Sequence, residues 1–515
     1  MKSVVHRRGV CYPAIRRTST TYSEGEPVSA VTHPHPSPAV SPSRWRAPAV
    51  VLTLLAVAQF IDVLDVTIVN VALPHIQSDL HFTGNNLQWV ISIYVLFYGG
   101  FLLLGGRLAD LWGRRRTFTA GLVLFGVSSL AAGFTSNGLE LVVVRAVQGL
   151  GGSLMAPAAL ALLTVTFPAG RQRDVALGIW GGLAGLGGTL GVVIGGVLVD
   201  ALSWRWIFFV NVPLIALIVA LTPVVIAESR APKTGGRFDL AGPVLATSGL
   251  LALVLGIIRS DALGWGSSEV VGLLLAALGL LLAFVVVESR RRHPMLPLSL
   301  FRSRALSLGN VMLALNGGTI LAVFYLNTTY LQLVRHESAF GAGMSFLPMG
   351  IGAIIGAVVA GQIVTRVGTR PVQLAGAVLT ALGLAWSLRV GVTSSYPSTL
   401  LVSFLLFGVG ITSLGVPTQV GAVAHVDHHN AGVSSGLLNA SYQIGGAIGL
   451  ATLTTLTTSR VVHLLGAGEA PTHALAGGYH LGVMLALGLA VANGVVALFS
   501  PSVTPTTEMI RSMGA

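Results

Sequence analysis

The chain alternates between long apolar runs and short polar segments. Each run is close to the 20 or so residues that an α-helix needs to cross the hydrocarbon core of a bilayer. The pattern predicts an all-α polytopic membrane protein with fourteen transmembrane helices, near 48–71, 86–105, 117–135, 138–160, 174–198, 206–226, 239–258, 270–288, 304–327, 341–364, 371–391, 397–419, 431–456 and 478–500.

A duplicated pattern divides these runs into two related halves. The segment Gly106–Arg115 recurs in weaker form as Gly361–Arg370, and each copy ends one apolar run and begins the next. A second match joins a set of glycines in the fifth run to a set in the thirteenth, at a constant offset of 258: Gly178, Gly187, Gly188 and Gly191 match Gly436, Gly445, Gly446 and Gly449. Parallel repeats of this kind are typical of transporters with a central substrate path.

The repeat sets the predicted domain organisation, which is six helices, two helices and six helices. We expect a disordered cytoplasmic tail, a first six-helix bundle, two extra central helices with their linkers, a second six-helix bundle and a cytoplasmic C-terminal tail, at 1–46, 47–230, 231–300, 301–500 and 501–515. The two extra helices explain why the repeat offset exceeds what six helices need.

Composition and charge agree with a membrane protein. Hydrophobic residues make up 53% of the chain and charged residues only 9%, which excludes a water-soluble domain. The formal net charge of +12 does not indicate nucleic acid, because the basic residues lie between apolar runs and form no single patch. With the N-terminus inside, 24 of the 30 basic residues fall on the cytoplasmic side, so both termini are predicted to be cytoplasmic.

Several kinds of chemistry are not supported by the sequence. The single cysteine, Cys11, excludes a Cys-based zinc or iron–sulfur site, and no cofactor is predicted. The segment 425–429 contains three histidines and an aspartate, which we interpret as a solvated loop and not as a metal site. Lys2 and Lys233 are the only lysines, and neither ends a phosphate-binding loop, which excludes an ATP-driven pump.

Few ionisable residues lie inside the predicted spans, and these are functional candidates by default. Asp62 and Asp65 lie one helical turn apart in the first span, with Gln59 a further turn back. Arg145 and Gln148 lie in the fourth span. Two acids facing one arginine are suited to proton coupling. The alternative is a fixed Asp–Arg pair that only holds two helices together.

The fifth span is rich in glycine, notably at Gly187, Gly188, Gly191, Gly195 and Gly196. Small residues at spacings of three and four let a neighbouring backbone approach closely. Two interpretations remain open, which are a static helix contact and a hinge or sliding surface between the halves.

Polar residues elsewhere in the spans are candidates for lining a substrate cavity, although some are expected to bond across helices instead. They are Gln59, Gln148, Asn316, Gln332, Asn439, Tyr442 and Gln443.

Four segments together resemble one known family. They are Leu64–Pro74 in the first span, Gly106–Arg115 between the second and third, Arg145–Gly152 in the fourth, and Trp204–Pro213 at the start of the sixth. Over about residues 48–500 the chain is similar to the fourteen-helix drug:proton antiporters of the major facilitator superfamily, the EmrB/QacA type. One departure is Val192, because the family's fifth helix carries a proline after the corresponding glycine.

The resemblance implies a monomeric, proton-coupled secondary transporter in the bacterial cytoplasmic membrane that exports lipophilic drug-like molecules and is not an enzyme. It also implies that Arg145 takes part in proton transfer. Asp65 is expected to matter more for coupling than Asp62, because Asp65 lies within the family segment Leu64–Pro74 and Asp62 lies outside it. The resemblance further implies a cytoplasmic gate that locks helices two, three and eleven, formed by Gly106, Asp110, Gly113, Arg114 and Arg115. The alternative for this segment is simple positive-inside anchoring by its arginines. The alternatives for the function are uptake or endogenous-metabolite export, and a polytopic membrane enzyme or sensor, for which only Asp62 with Asp65 would supply paired acids.

Overall fold

The first half of the chain is a series of helices joined by short turns. In the computed structural model, residues 48–82, 84–167, 171–230, 241–291, 294, 296–392, 394–424 and 431–504 are described. The helices before the central pair are α1 Pro48–Asp79, α2 Gly84–Leu87, α3 Trp89–Trp112, α4 Arg114–Gly133, α5 Gly138–Thr166, α6 Arg171–Ala201, α7 Trp206–Phe209 and α8 Asn211–Val225.

The rest of the chain continues in the same way. Two helices follow the first half, and seven more make up the second half: α9 Ala241–Leu263, α10 Ser268–Arg290, α11 Arg304–Thr329, α12 Ala339–Ser345, α13 Leu347–Val367, α14 Thr369–Ser387, α15 Val402–Val423, α16 Ala431–Gly466 and α17 Pro471–Phe499. Short π-helical turns at Tyr330–Val334 and Pro397–Leu401 extend α11 at its end and α15 at its start.

Helices occupy all fourteen predicted apolar runs, and no strand occurs among the described residues, so the all-α prediction is confirmed. Within the described part of the chain, eleven helical segments are long and apolar enough to cross a membrane. The helices α6, α14 and α16 fill the fifth, eleventh and thirteenth runs but are not among those eleven. The count of fourteen crossings, the domain boundaries and the orientation therefore stay predictions. The tail 1–46 lies outside the described residues.

The duplicated segments form equivalent turns. Gly113 separates α3 from α4 with φ +127°, and Gly368 separates α13 from α14 with φ +84°. These backbone conformations strongly favour glycine, since a Cβ would be strained there. The two glycines are 255 positions apart, which is the offset of the segments that contain them. The sequence repeat is thus also a repeat of local structure.

The central helices α9 and α10 pack on each other and lie against the seam between the halves. The helix α9 contacts α3 and α16, which themselves pack together. A Cβ on Gly249 of α9 would lie 2.9 Å from Leu281 Cγ of α10, so the two helices are in close contact. Much of α10 faces outward, with Leu275, Leu278 and Leu282 more than half exposed, as expected for a helix that borders lipid.

Candidate functional site

A buried group of polar side chains joins α1, α5 and α8. Asp65 is fully buried, and its Oδ2 lies 2.5 Å from Arg145 Nη1. Its Oδ1 accepts hydrogen bonds from Gln148 Nε2 at 2.9 Å and from Asn211 Nδ2 at 3.2 Å. We call these four residues the Asp65 cluster. Both oxygens of the carboxylate are used, so the cluster ties three helices together at one point.

Several protein groups contact the guanidinium of Arg145. Its Nε donates to the Val90 carbonyl at 3.1 Å, and its Nη1 also donates to Gln148 Oε1 at 2.8 Å. Its Cζ lies 4.3 Å from the centre of the Tyr94 ring, which is a cation–π distance. A buried charge has to be compensated by such contacts, since a buried ion without partners is costly. The arrangement fits a permanently charged arginine.

Asp62 lies in a different environment from Asp65. It is 4% exposed, and its two oxygens accept hydrogen bonds from Tyr94 at 3.1 Å and Tyr98 at 3.0 Å. No lysine or arginine among the described residues forms an ion pair with it, and the one buried arginine nearby contacts Asp65. Asp62 is therefore a buried acid with neutral partners that can be neutralised by a proton or by a cationic group of another molecule.

Three of the residues that contact the two acids were not predicted from the sequence. Tyr94 and Tyr98 are spaced by four in an apolar run, a signal that also suits ordinary core residues. Asn211 lies inside the quoted segment Trp204–Pro213 but was not singled out. Its position two residues before a proline at the start of a span was the available signal.

The predicted gate residues lie at the α3–α4 turn, except Gly106, which lies about two turns earlier in α3. Asp110 Oδ1 is 3.2 Å from Arg114 Nη2, one helical turn along the chain. The Arg115 backbone N–H donates to Glu228 Oε1 at 3.1 Å, just beyond α8, and the Arg114 N–H donates to the Ser229 carbonyl at 2.9 Å. Among the described residues these hydrogen bonds all stay within the first half. The lock to the eleventh span stays a prediction, and Glu228 is an addition to the site.

The glycines of α6 face two different neighbours. Gly187, Gly191 and Gly195 face α1, where a Cβ on Gly195 would lie 2.7 Å from Ile68 Cγ1. Gly188 is less tightly packed, since a Cβ there would be 3.8 Å from the nearest atom. The glycine-rich helix is therefore in close backbone contact with the first span over several turns.

The last glycine of the set, Gly196, faces the second half. A Cβ on it would lie 2.5 Å from the Ala339 carbonyl oxygen and 2.6 Å from Phe340 Cα, both at the start of α12. Close by, Asp200 accepts hydrogen bonds from the N–H groups of Ala339 at 3.1 Å and Phe340 at 2.8 Å. We call this the outer contact, because the distribution of basic residues predicts that this end of α6 is extracellular. Val192 belongs to it through its carbonyl oxygen, which would lie 2.6 Å from a Cβ on Gly343.

Some of the predicted cavity residues are engaged in bonds between helices. Gln148 belongs to the Asp65 cluster. Asn316 Nδ2 donates to the Ile411 carbonyl at 3.2 Å, and Gln332 Nε2 donates to the Val71 carbonyl at 2.8 Å, which joins the two halves. These three amides hold helices in register.

The remaining cavity candidates are different. Gln59 is buried in α1, one turn before Asp62. On α16, Asn439 is exposed, while Tyr442 and Gln443 are partly exposed. These three residues of α16 are the candidates that keep surface for contact with another molecule.

Metal binding receives no support from the described residues, in which no group of three or more His, Cys, Asp or Glu side chains could hold an ion. The segment 425–429 lies outside them, so its interpretation as a solvated loop stays a prediction.

A bundle of apolar helices around buried charged and amide side chains is the architecture of a membrane transporter. The family model described as Major Facilitator Superfamily matches residues 55–450. The chain belongs to this superfamily and is a multi-pass protein of the cell membrane.

Curated relatives include antibiotic resistance and export proteins. The chain is 36% identical over 465 residues to the puromycin resistance protein of Streptomyces alboniger, covering 88% of this chain and 91% of the relative. It is 38% identical to the tetracenomycin C resistance and export protein of Streptomyces glaucescens, with 79% and 76% covered. It is also 38% identical to the cephamycin export protein of Amycolatopsis lactamdurans, with 81% and 86% covered. The expected family of drug exporters is thus confirmed.

Solved structures support the fold. An auto-inhibited peptide transporter of the POT family superposes with a TM-score of 0.66 at 14% identity, covering 88% of this chain and 98% of that one. A bacterial homologue of the lysosomal transporter Spinster, in an inward-facing and unoccupied conformation, gives 0.59 at 15% identity, with 89% and 97% covered. At this identity the likeness concerns the fold alone.

Proposed function

We propose that the protein exports a lipophilic, antibiotic-like compound across the cytoplasmic membrane in exchange for protons, by alternating access, and acts as a monomer without a cofactor. The names of the relatives support the substrate class. The observation that supports the proton coupling is the pair of buried acids, of which Asp65 is held by Arg145 and Asp62 only by neutral hydroxyl groups.

The two acids have different roles in this proposal. Asp65 pairs with Arg145 and positions α1 against α5 and α8. Asp62 gains and loses the exchanged proton, because a proton is the simplest charge that can neutralise a buried carboxylate with neutral partners. The hydroxyl groups of Tyr94 and Tyr98 hold the carboxylate in place by donating hydrogen bonds to it.

The first prediction tests the energy source. In inverted vesicles, accumulation of puromycin, the compound named for one relative, should collapse when a protonophore is added. It should persist in ATP-depleted vesicles when a pH gradient is imposed. Accumulation that requires ATP under an intact gradient would contradict the proposal. If puromycin is not accumulated at all, tetracenomycin C is the next probe.

The second prediction separates the two acids. Asp62→Asn should abolish accumulation against a gradient, while exchange of labelled for unlabelled puromycin continues, since the asparagine side chain cannot exchange a proton. Both activities are measured in proteoliposomes, together with substrate-driven proton release followed by a pH-sensitive dye.

The matched control is Asp79→Asn, which removes an exposed carboxylate paired with Arg205 at the end of the same helix. This variant should retain accumulation. Accumulation by Asp62→Asn at the wild-type level would show that Asp62 does not carry the proton and would leave Asp65 as the candidate of the pair.

A further inference from the structure

An open furrow lies on the lipid-facing surface of the first half, away from the buried acids. It has a volume of about 900 Å³. Its walls are apolar and come from α4, α5 and α8, including Val123, Val127, Leu154, Val219 and Pro223. Val127 is 61% exposed, so these walls face the lipid-filled part of the membrane and not the bundle interior.

One end of the furrow is polar and basic. Trp112, Arg115 and Arg116 close it at the α3–α4 turn, which the distribution of Lys and Arg predicts to be cytoplasmic. Tryptophan is typical of the boundary between hydrocarbon and headgroups. The furrow therefore runs from the headgroup level of the inner leaflet into its hydrocarbon layer.

The basic end keeps an excess of positive charge. Glu228 Oε2 lies 3.9 Å from Arg115 Nε and 3.8 Å from Arg116 Nε, so a single carboxylate lies between two guanidinium groups. Both distances are longer than hydrogen bonds. The other oxygen of Glu228 accepts from the backbone N–H groups of Arg115 and Ser229. The Arg116 side chain, half exposed, is therefore available to a further anion.

We propose that this furrow binds an anionic phospholipid of the cytoplasmic leaflet, with its phosphate at Arg115 and Arg116 and an acyl chain along the apolar walls. The length of the furrow suits an acyl chain, because the stretch from Thr119 to Val127 of α4 rises roughly 12 Å, which is the length of a large part of such a chain. The charge agrees as well, because arginine pairs well with phosphate.

Binding of a phosphate here would have a consequence for the turn. The phosphate competes with Glu228 for Arg116, and Glu228 is the residue that fastens the α3–α4 turn to the end of α8. Anionic lipid therefore weakens the attraction between Arg116 and Glu228, while the hydrogen bond from the Arg115 backbone N–H to Glu228 remains.

The test measures lipid binding to the full chain in detergent by native mass spectrometry, with phosphatidylglycerol and phosphatidylcholine as probes. Wild-type protein should retain phosphatidylglycerol in preference to phosphatidylcholine. The double variant Arg115→Gln and Arg116→Gln should bind phosphatidylglycerol more weakly by about tenfold or more and lose the preference. Val127→Trp, which fills the furrow and leaves its basic end intact, should weaken the binding of both lipids.

The control is Arg302→Gln, which removes another exposed arginine on the predicted cytoplasmic face and should leave binding unchanged. Equal retention of phosphatidylglycerol by wild type and by the double variant would overturn the proposal. Undiminished retention of both lipids by Val127→Trp would also overturn it, since the acyl chain would then lie outside the furrow. The readout is binding, so the result does not depend on the direction or coupling of transport.

Discussion

Replacing Arg145 by alanine is expected to leave little folded protein in the membrane and no transport. The change would leave the Asp65 carboxylate buried with only amide partners, and removing one member of a buried ion pair costs about 3–5 kcal/mol. Arg145→Lys keeps the charge but loses the donor to the Val90 carbonyl and the planar contact with Tyr94, so partial stability and partial transport should remain. The measurements are the amount of folded protein by fluorescence-detected gel filtration and its Tm in detergent.

Two further variants separate a structural role from a coupling role. The double variant Asp65→Asn with Arg145→Ala removes both charges, so it should be more stable than Arg145→Ala alone. Arg259→Ala breaks an exposed ion pair with Glu269, at 3.7 Å, and should cost less than about 1 kcal/mol. If Arg145→Ala were as stable as Arg259→Ala, the Asp65 cluster would not be the point that holds the three helices together.

The second large effect is expected at Gly196, where α6 meets α12. A Cβ there would lie within 2.6 Å of backbone atoms of Ala339 and Phe340, which cannot move aside as a flexible side chain can. Overpacking of this kind costs about 1–3 kcal/mol, and 1.4 kcal/mol is a tenfold change in an equilibrium. Gly196→Ala should therefore separate the outer contact in most molecules and lower transport by about tenfold.

Spin labels provide the measurement. In a background with Cys11→Ser, cysteines at Val197 and Phe340, both exposed, would report the distance across the outer contact. The distance distribution should lengthen in Gly196→Ala and stay unchanged in Gly361→Ala, because a Cβ at Gly361 has no described atom within 4 Å beyond the backbone of its own helix and its chain neighbours. Unchanged distances with full transport in Gly196→Ala would show that this contact does not need the glycine.

The helix positions could be predicted because each depends on local composition. A run of apolar residues of bilayer length forms a helix whatever its neighbours are. The turn glycines Gly113 and Gly368 were predictable as equivalents for a similar reason, since the repeat preserves local backbone requirements. The involvement of Asp65 and Arg145 was also accessible, because a charge inside a span requires compensation.

Which side chains contact each other in the site depends on how the helices are oriented about their axes and how they cross. No local sequence pattern determines this. The hydroxyl groups that contact Asp62 come from Tyr94 and Tyr98, and nothing in their spacing distinguishes them from core aromatics. Likewise, Gln332 was a cavity candidate, but its amide bonds the Val71 carbonyl of the other half. A side-chain amide in a span can donate a hydrogen bond to any neighbouring backbone carbonyl. Only tertiary packing therefore decides which of these amides remain free to contact substrate.

The composition of the outer contact affects how fast the transporter can open towards the outside. The helices α6 and α12 meet there through a glycine, backbone carbonyls and two N–H groups that donate to the exposed carboxylate of Asp200. Few side chains therefore have to change rotamer when the two helices separate. Water can replace those two hydrogen bonds as they break, which keeps the activation barrier low. Opening towards the outside is then expected to be fast, on the microsecond-to-millisecond scale of gating motions.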